Sequence, residues 1–215
     1  MAQCKLILMT RWPAAGRCKQ RLSQTIGHAQ AAAIQARLTN HTFTVAKSLA
    51  KQDLVDVQLA IAGLGPKAAK RWGDQNNLTN IELQGEGSLG VRMKKQVLLA
   101  QKHFQPNKRP FRSIIIIGSD LPELSVRDIT CAVRALNTNE MVLGPANDGG
   151  YWLIGLSRKL IRPVVAAWPF CGIPWGSNQV LRMTLHKASR QGISVSLLRT
   201  QFDVDNLNDL SPWHA

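Results

Sequence analysis

Four aspartates stand where strands are expected to end. Asp120 follows Ile114-Ile115-Ile116-Ile117-Gly118-Ser119. Asp148 follows Met141-Val142-Leu143-Gly144 and a turn, and Asp203 and Asp205 sit in Phe202-Asp203-Val204-Asp205. The chain holds only 13 acids, so four at such positions form a pattern. Hard cations such as Mg2+ or Mn2+ prefer oxygen ligands, usually one or two carboxylates with phosphate and water completing the shell. A metal bridging a diphosphate would neutralise negative charge as it departs. Each carboxylate also has a plainer use. Asp120 could cap a helix after Pro122 or close a turn, and Asp205 or Asn206 could cap a last short helix.

The complementary charge lies in Thr10-Arg11-Trp12-Pro13-Ala14-Ala15-Gly16-Arg17-Cys18-Lys19-Gln20-Arg21-Leu22. Pro13 and Gly16 bar regular structure there, and Arg11, Arg17, Lys19 and Arg21 crowd it with cations. A strand leading into a basic loop with a glycine is a common way to face phosphates with N–H groups and cations. This loop is neither a P-loop GxxxxGK[ST] nor the dinucleotide-binding GxGxxG. A third loop, Gln84-Gly85-Glu86-Gly87-Ser88-Leu89-Gly90, has the backbone freedom to approach a flat ligand, and the Gln84 amide could read a base edge. It could equally be a flexible lead into the next helix.

These loops need elements to hold them. Ile114–Ile117 is short, apolar and β-branched, as expected of a strand buried on both faces in a parallel sheet. In open α/β sheets ligands bind beyond the carboxyl ends of the strands. Further strands are expected at 5–9, 54–62, 78–83, 141–144, 151–156 and 193–198, with the segment at 151–156 able to return antiparallel to its predecessor. Helices are expected at 28–51, 66–73, from Leu89 to Ala100, at 125–136 with Ser125 as N-cap and Asp128 in the capping-box position, and from 175–178 to about 188. The aromatic stretch from Trp168 to Trp175 is irregular and suits covering a core edge more than binding a ligand. The alternation argues for residues 1–215 as one α/β domain with a mostly parallel sheet and a small antiparallel addition.

Composition narrows the field. At 215 residues one sizeable core can form without staples. No apolar run spans a membrane, and the N-terminal residues do not read as a signal peptide, so a cytoplasmic protein is the simplest expectation. Cys4, Cys18, Cys131 and Cys171 make no CxxC pair, which excludes a structural zinc site. The five histidines lie outside the candidate loops and GxSxG is absent, against serine or cysteine hydrolase chemistry. The net charge is +14, and residues 1–52 carry eight Lys or Arg with no acid. Such a field attracts polyanions, though excess cations also simply solubilise. Nucleic acid is the less favoured partner, since no helix-turn-helix or RNP-like signature accompanies the charge.

Taken together, the segments Arg11–Leu22, Gln84–Met93, Gly118–Leu124, Leu143–Leu156, Trp175–Val180 and Asp203–Leu210 resemble, in order, the motifs of small bacterial transferases of the DUF2064 type, associated with radical-SAM or arsenosugar gene neighbourhoods. The resemblance implies a three-layer GT-A, nucleotide-diphospho-sugar transferase-like fold. It implies Arg11, Gly16, Lys19 and Arg21 on phosphates, Gln84, Gly90 and Arg92 at the nucleotide, and Asp120 and Asp205 on Mg2+ or Mn2+. The chain departs from that pattern at Arg11 (usually Lys), Gln20 (usually Thr) and Asn206 (usually Thr).

The expectation is therefore a metal-dependent glycosyltransferase with a nucleotide-diphosphate-sugar donor and a small-molecule acceptor. Asp148 is the candidate acceptor-side base or third metal-site carboxylate. The alternatives are a nucleotidyltransferase on the same fold, releasing pyrophosphate, and a basic nucleic-acid-binding protein.

Overall fold

A computed structural model describes residues 3–102, 111–162, 165–205, 207 and 209. Its centre is the isoleucine strand β4 (Ser113–Ile117), buried throughout. It pairs in parallel with β1 (Cys4–Arg11), Ile115 opposite Leu6 and Ile116 opposite Ile7. The run is apolar because both faces are covered. Ile115 and Ile117 join Leu6 and Leu8 in one core, while Ile114 and Ile116 join Ile7 and Met9 in the other. Each fully buried isoleucine contributes roughly 1.5–3 kcal/mol.

Beyond β1, the strands β2 (Val55–Ala62) and β3 (Ile81–Leu83) continue the parallel pairing. On the other side come β6 (Tyr151–Ser157), β5 (Met141–Pro145) and β7 (Val195–Leu197), giving the order β3-β2-β1-β4-β6-β5-β7. The antiparallel strand is not an edge addition. The turn after Pro145 sends β6 back into the slot between β4 and β5, antiparallel to both. Trp152 to Leu156 are buried, so this apolar segment belongs inside the sheet. β5 and β7 are parallel.

The helices form two outer layers. Against the first core lie α2 (His28–Lys51), α3 (Pro66–Gln75) and α5 (Val126–Ala135). Against the second lie α4 (Leu89–Lys102), α6 (Arg158–Ile161) and α7 (Val180–Arg190). The three-layer, mostly parallel α/β architecture is thus the one expected. Two short helices were not anticipated. α1 (Gln20–Ile26) follows the basic loop and α6 follows β6. The third strand is shorter than its apolar run suggests, and α7 begins later than Trp175.

The cap of α5 is as read from sequence. The Ser125 backbone N–H donates to Asp128 Oδ2 at 2.9 Å and the Asp128 N–H donates to Ser125 Oγ at 3.4 Å. Ser125, not Asp120, caps this helix. Two glutamines dock α4: Gln58 on β2 donates to Gln96 Oε1 at 3.0 Å, and Gln96 donates to the Leu83 carbonyl at 3.0 Å. Among the described residues no helix is long and apolar enough to cross a membrane.

Candidate active site

The carboxyl ends of β1 and β4 and the amino end of β6 open into a cleft of about 760 Å³. Arg11, Arg17, Lys19, Arg21, Gln84, Arg92, Asp120, Asp148, Asp203 and Asp205 all line it. Five segments far apart in sequence therefore meet at one place.

The loop after β1 is bent by its local chemistry. Trp12 leaves the strand by donating its N–H to the Ala62 carbonyl at 2.9 Å and stacks edge-on against Trp72. Gly16 has φ +73 and Lys19 has φ 47, both left-handed, and Lys19 then starts α1. For a lysine this backbone is unfavourable. What offsets it is the position of the ammonium. Lys19 Nζ lies 2.9 Å from Asp120 Oδ2 and 3.5 Å from Asp205 Oδ1, with its side chain only 2% exposed. Arg21 Nη1 lies 3.6 Å from Asp205 Oδ2.

Asp120 has a further partner that sequence patterns did not flag. Gln35, buried in the middle of α2, donates to Asp120 Oδ1 at 2.8 Å. The same amide lies 3.4 Å from Ser119 Oγ, which is 3.0 Å from Thr10 Oγ1. A buried glutamine on an Ala-rich helix looks like ordinary helix composition, and only its wholly buried setting marks it as a positioning residue. The last segment is fastened to the same strand end, since the Val204 N–H donates to the Asp120 carbonyl at 3.2 Å and the Asp205 N–H to Asp209 Oδ2 at 2.8 Å. Asn206 lies outside the described residues.

Asp148 is exposed, its Oδ1 accepting from the Gly150 N–H at 2.8 Å. Asp203 lies within electrostatic reach of both Asp148 and Asp205. Burial, then those two charges, push its carboxyl up to about 6. Across the cleft Trp175 meets Tyr151 edge-to-face at 6.0 Å.

Two residues serve differently from the role expected of them. Gln84 is buried, and its amide is engaged by the protein: Nε2 donates to the carbonyls of Thr10 and Ala60 at 2.9 and 3.0 Å, and Oε1 accepts from Arg92 Nη1 at 2.8 Å. It is a clasp between strand ends and α4, with no free donor for a base edge. Gly90 is needed for packing. A Cβ there would lie 2.3 Å from Trp175 Nε1 and 2.8 Å from the Phe170 carbonyl. At Gly16, by contrast, a Cβ would meet only the His28 ring, at 4.0 Å.

Among the described residues no group of three or more His, Cys, Asp or Glu could hold a metal ion. Asp120 and Asp205 converge on one cation, the Lys19 ammonium, so their oxygens suit a hard cation that completes its shell with phosphate and water.

Comparison with known proteins fits this geometry. No curated protein sequence gives a significant match. The provisionally named nucleotide-diphospho-sugar transferase of Desulfovibrio desulfuricans G20 superposes with a TM-score of 0.82 at 24% identity, covering 98% of this chain and 85% of that one. The 4-diphosphocytidyl-2C-methyl-D-erythritol synthase of Anaerococcus prevotii DSM 20548 gives 0.59 at 11% identity, covering 97% and 95%. The glucosyl-3-phosphoglycerate synthase of Mycobacterium tuberculosis, solved with Mn2+, uridine diphosphate and glucosyl-3-phosphoglycerate, gives 0.56 at 9% identity, covering 95% and 74%. At these identities the likeness establishes the fold, that of the nucleotide-diphospho-sugar transferases. A family model described as an uncharacterized protein conserved in bacteria matches residues 44–177, the stretch that carries Gln84, Arg92, Asp120 and Asp148, and the chain belongs to that family, DUF2064.

Proposed function

We propose that the chain is a metal-dependent glycosyltransferase that takes a nucleotide-diphosphate-sugar donor and a small-molecule acceptor. The observation that carries the reading is the meeting of Asp120, Asp205, Lys19 and Arg21 at the mouth of a cleft large enough for such a ligand. Asp120 and Asp205 would hold Mg2+ or Mn2+, which when bound neutralises charge on the departing diphosphate. Lys19 and Arg21 bring cations to the same phosphates, and Gly16 lets the loop turn over them without a side chain in the way. Gln35 holds the Asp120 carboxylate in one orientation, which limits reorganisation when the ligand arrives. Asp148, exposed at the cleft wall, is the acceptor-side candidate to take a hydroxyl proton.

The test is a thermal-shift titration with Mn2+ and the nucleoside diphosphates. The expected result is a rise in Tm with at least one of them, removed by Asp120→Asn. Absence of a shift with every nucleotide would overturn the reading. Release of pyrophosphate from a nucleoside triphosphate with a phosphorylated acceptor would assign nucleotidyl transfer instead. Salt-sensitive retention on RNA without any nucleotide shift would assign nucleic-acid binding.

A further inference from the structure

The cleft has two unlike halves, and strand alternation makes them so. Successive side chains of a strand point to opposite faces of the sheet. At the ends of β1 and β4, Thr10 and Ser119 meet on the α2 side, where Gln35 joins them to Asp120. Met9 and Ile116 belong to the other core, beneath α4 and α7. With Met93 of α4 and Ile154 of β6 they give the cleft an apolar floor on that side. Tyr151 and Trp175 pack against the same core and form its wall, edge to face with ring centroids 6.0 Å apart.

This half is held in shape. The Trp175 indole N–H donates to the Phe170 carbonyl at 3.2 Å, and Gly90 leaves the space in which the ring lies. The Leu181 N–H of α7 donates to the Gly149 carbonyl at 2.9 Å, which fastens the turn bearing Asp148 to the helix that follows Trp175. Apart from Asp148 and the Gln84-bound Arg92 at its borders, this half has, among the described residues, no polar side chain free to receive hydroxyls. The Tyr151 hydroxyl is buried, so the ring is what that residue offers. Ser177 is engaged by its own loop, donating to the Pro174 carbonyl at 2.8 Å and accepting from the Gln179 N–H at 3.2 Å. A polyhydroxylated body would lose its water here without gaining partners. A flat apolar body would cover the floor and lie against the aromatic pair.

We infer that this half is the acceptor subsite and that the acceptor is a hydroxyl carried on a flat, apolar ring system, not a sugar. The acceptor role rests on the transferase reading above, while the preference for an aromatic body rests on the lining alone. In the transfer, the acceptor oxygen bonds to the anomeric carbon of the donor sugar as the bond from that carbon to the diphosphate oxygen breaks. The hydroxyl proton passes to Asp148, and the nucleoside diphosphate leaves with the electron pair.

The experiment is calorimetric titration of the full chain in EDTA, without nucleotide, with naphthol as the probe and glucose as its polyhydroxylated counterpart. Wild type binds naphthol and gives no heat with glucose. Tyr151→Ser and Trp175→Gln each weaken naphthol binding roughly tenfold, the worth of one aromatic contact. Tyr151→Phe, which keeps the ring, retains the binding that Tyr151→Ser loses. Far-ultraviolet circular dichroism shows whether each variant is folded, and if Tyr151→Ser is not, half-buried Trp175 carries the test. A repeat in saturating Mn2+ and the nucleoside diphosphate that raises the Tm decides the role. Undiminished or tighter naphthol binding supports the acceptor subsite, and competition overturns it by assigning this half to the donor base. Binding of glucose in place of naphthol, or equal naphthol binding by wild type and both wall variants, also overturns the inference. If no nucleoside diphosphate shifts the Tm, the transferase reading fails and the acceptor role with it, and the first titration still decides whether the aromatic subsite exists.

Discussion

Lys19 Nζ sits 2.9 Å from Asp120 Oδ2, so two groups expected to face different parts of a ligand face each other. The lysine, read from sequence as a phosphate contact, instead neutralises the residue read as a metal ligand, and Asp205 shares it at 3.5 Å. The ammonium stands where a divalent cation would be attracted. Under the proposed reading, cation entry is coupled to movement of Lys19, and a phosphate is the natural place for that charge to go.

It follows that Lys19→Met frees both carboxylates for metal. Mn2+ binding without nucleotide, followed by the electron paramagnetic resonance signal of the free ion, is expected to tighten roughly tenfold, which corresponds to about 1.4 kcal/mol. The gain from adding a nucleoside diphosphate should shrink in the same variant. Unchanged Mn2+ affinity would mean that Lys19 does not compete for the site.

Gln35→Leu tests the positioning of Asp120. The change removes a buried donor 2.8 Å from Oδ1 and keeps the volume. The expected cost is about 1 kcal/mol in urea unfolding, from one lost hydrogen bond to a charged acceptor that keeps some access to water. The nucleotide-dependent thermal shift should fall further than this loss of stability explains, and Gln35→Glu, which adds a like charge beside Asp120, should abolish it.

The fold was legible because its signals are local. Ile114–Ile117, the Ser125–Asp128 cap and the turn at Asp148–Gly150 each specify their element within a few residues. The site was legible only as a set of loops. Which side chains meet depends on the crossovers, so nothing near Gln35 announces a partner 85 residues away. Gln84 shows the converse. Its loop looked built to receive a base, yet two strand carbonyls and Arg92 use up its amide. The return of β6 antiparallel to β5 was legible, but its second neighbour β4 was not, since an apolar run specifies burial and not every neighbour.

Arg199 gives the molecule a pH-dependent brace at the other edge. Its Nε and Nη2 grip Asp128 Oδ1 and Oδ2 at 2.7 and 2.9 Å, and Nη1 reaches Glu123 at 3.2 Å. Burial alone would raise the Asp128 carboxyl, but the hydrogen bonds from Arg199 and Ser125 bring it below its ordinary value. A carboxyl depressed in the folded state stabilises fully above its unfolded pKa, about 3.9, and loses that contribution as pH falls through the folded value. Arg199→Met should therefore cost roughly 1–3 kcal/mol at pH 7. The gap to wild type should close in acid unfolding curves below about pH 4. A gap that stays constant down to pH 2 would refute the linkage.

Gly90 separates packing from ligand contact. If the glycine exists to let a base approach, Gly90→Ala should leave the free protein intact and weaken only nucleotide binding. The structure requires otherwise, because the added methyl would meet the Trp175 indole at 2.3 Å and, more stubbornly, the Phe170 carbonyl at 2.8 Å. The indole is itself tied to that carbonyl by a 3.2 Å hydrogen bond, so moving one disturbs the other. Overpacking of this kind costs roughly 1–3 kcal/mol. Gly90→Ala should lower stability by that amount without any ligand and shift the tryptophan emission, while Gly16→Ala, whose methyl meets only the His28 ring at 4.0 Å but whose backbone has φ +73, should cost only its backbone strain of about 1 kcal/mol. The two variants also differ in consequence for the cleft. Loss of the Trp175 contact loosens the wall that faces Tyr151, so Gly90→Ala should weaken acceptor binding more than nucleotide binding. The reverse order would return Gly90 to the nucleotide.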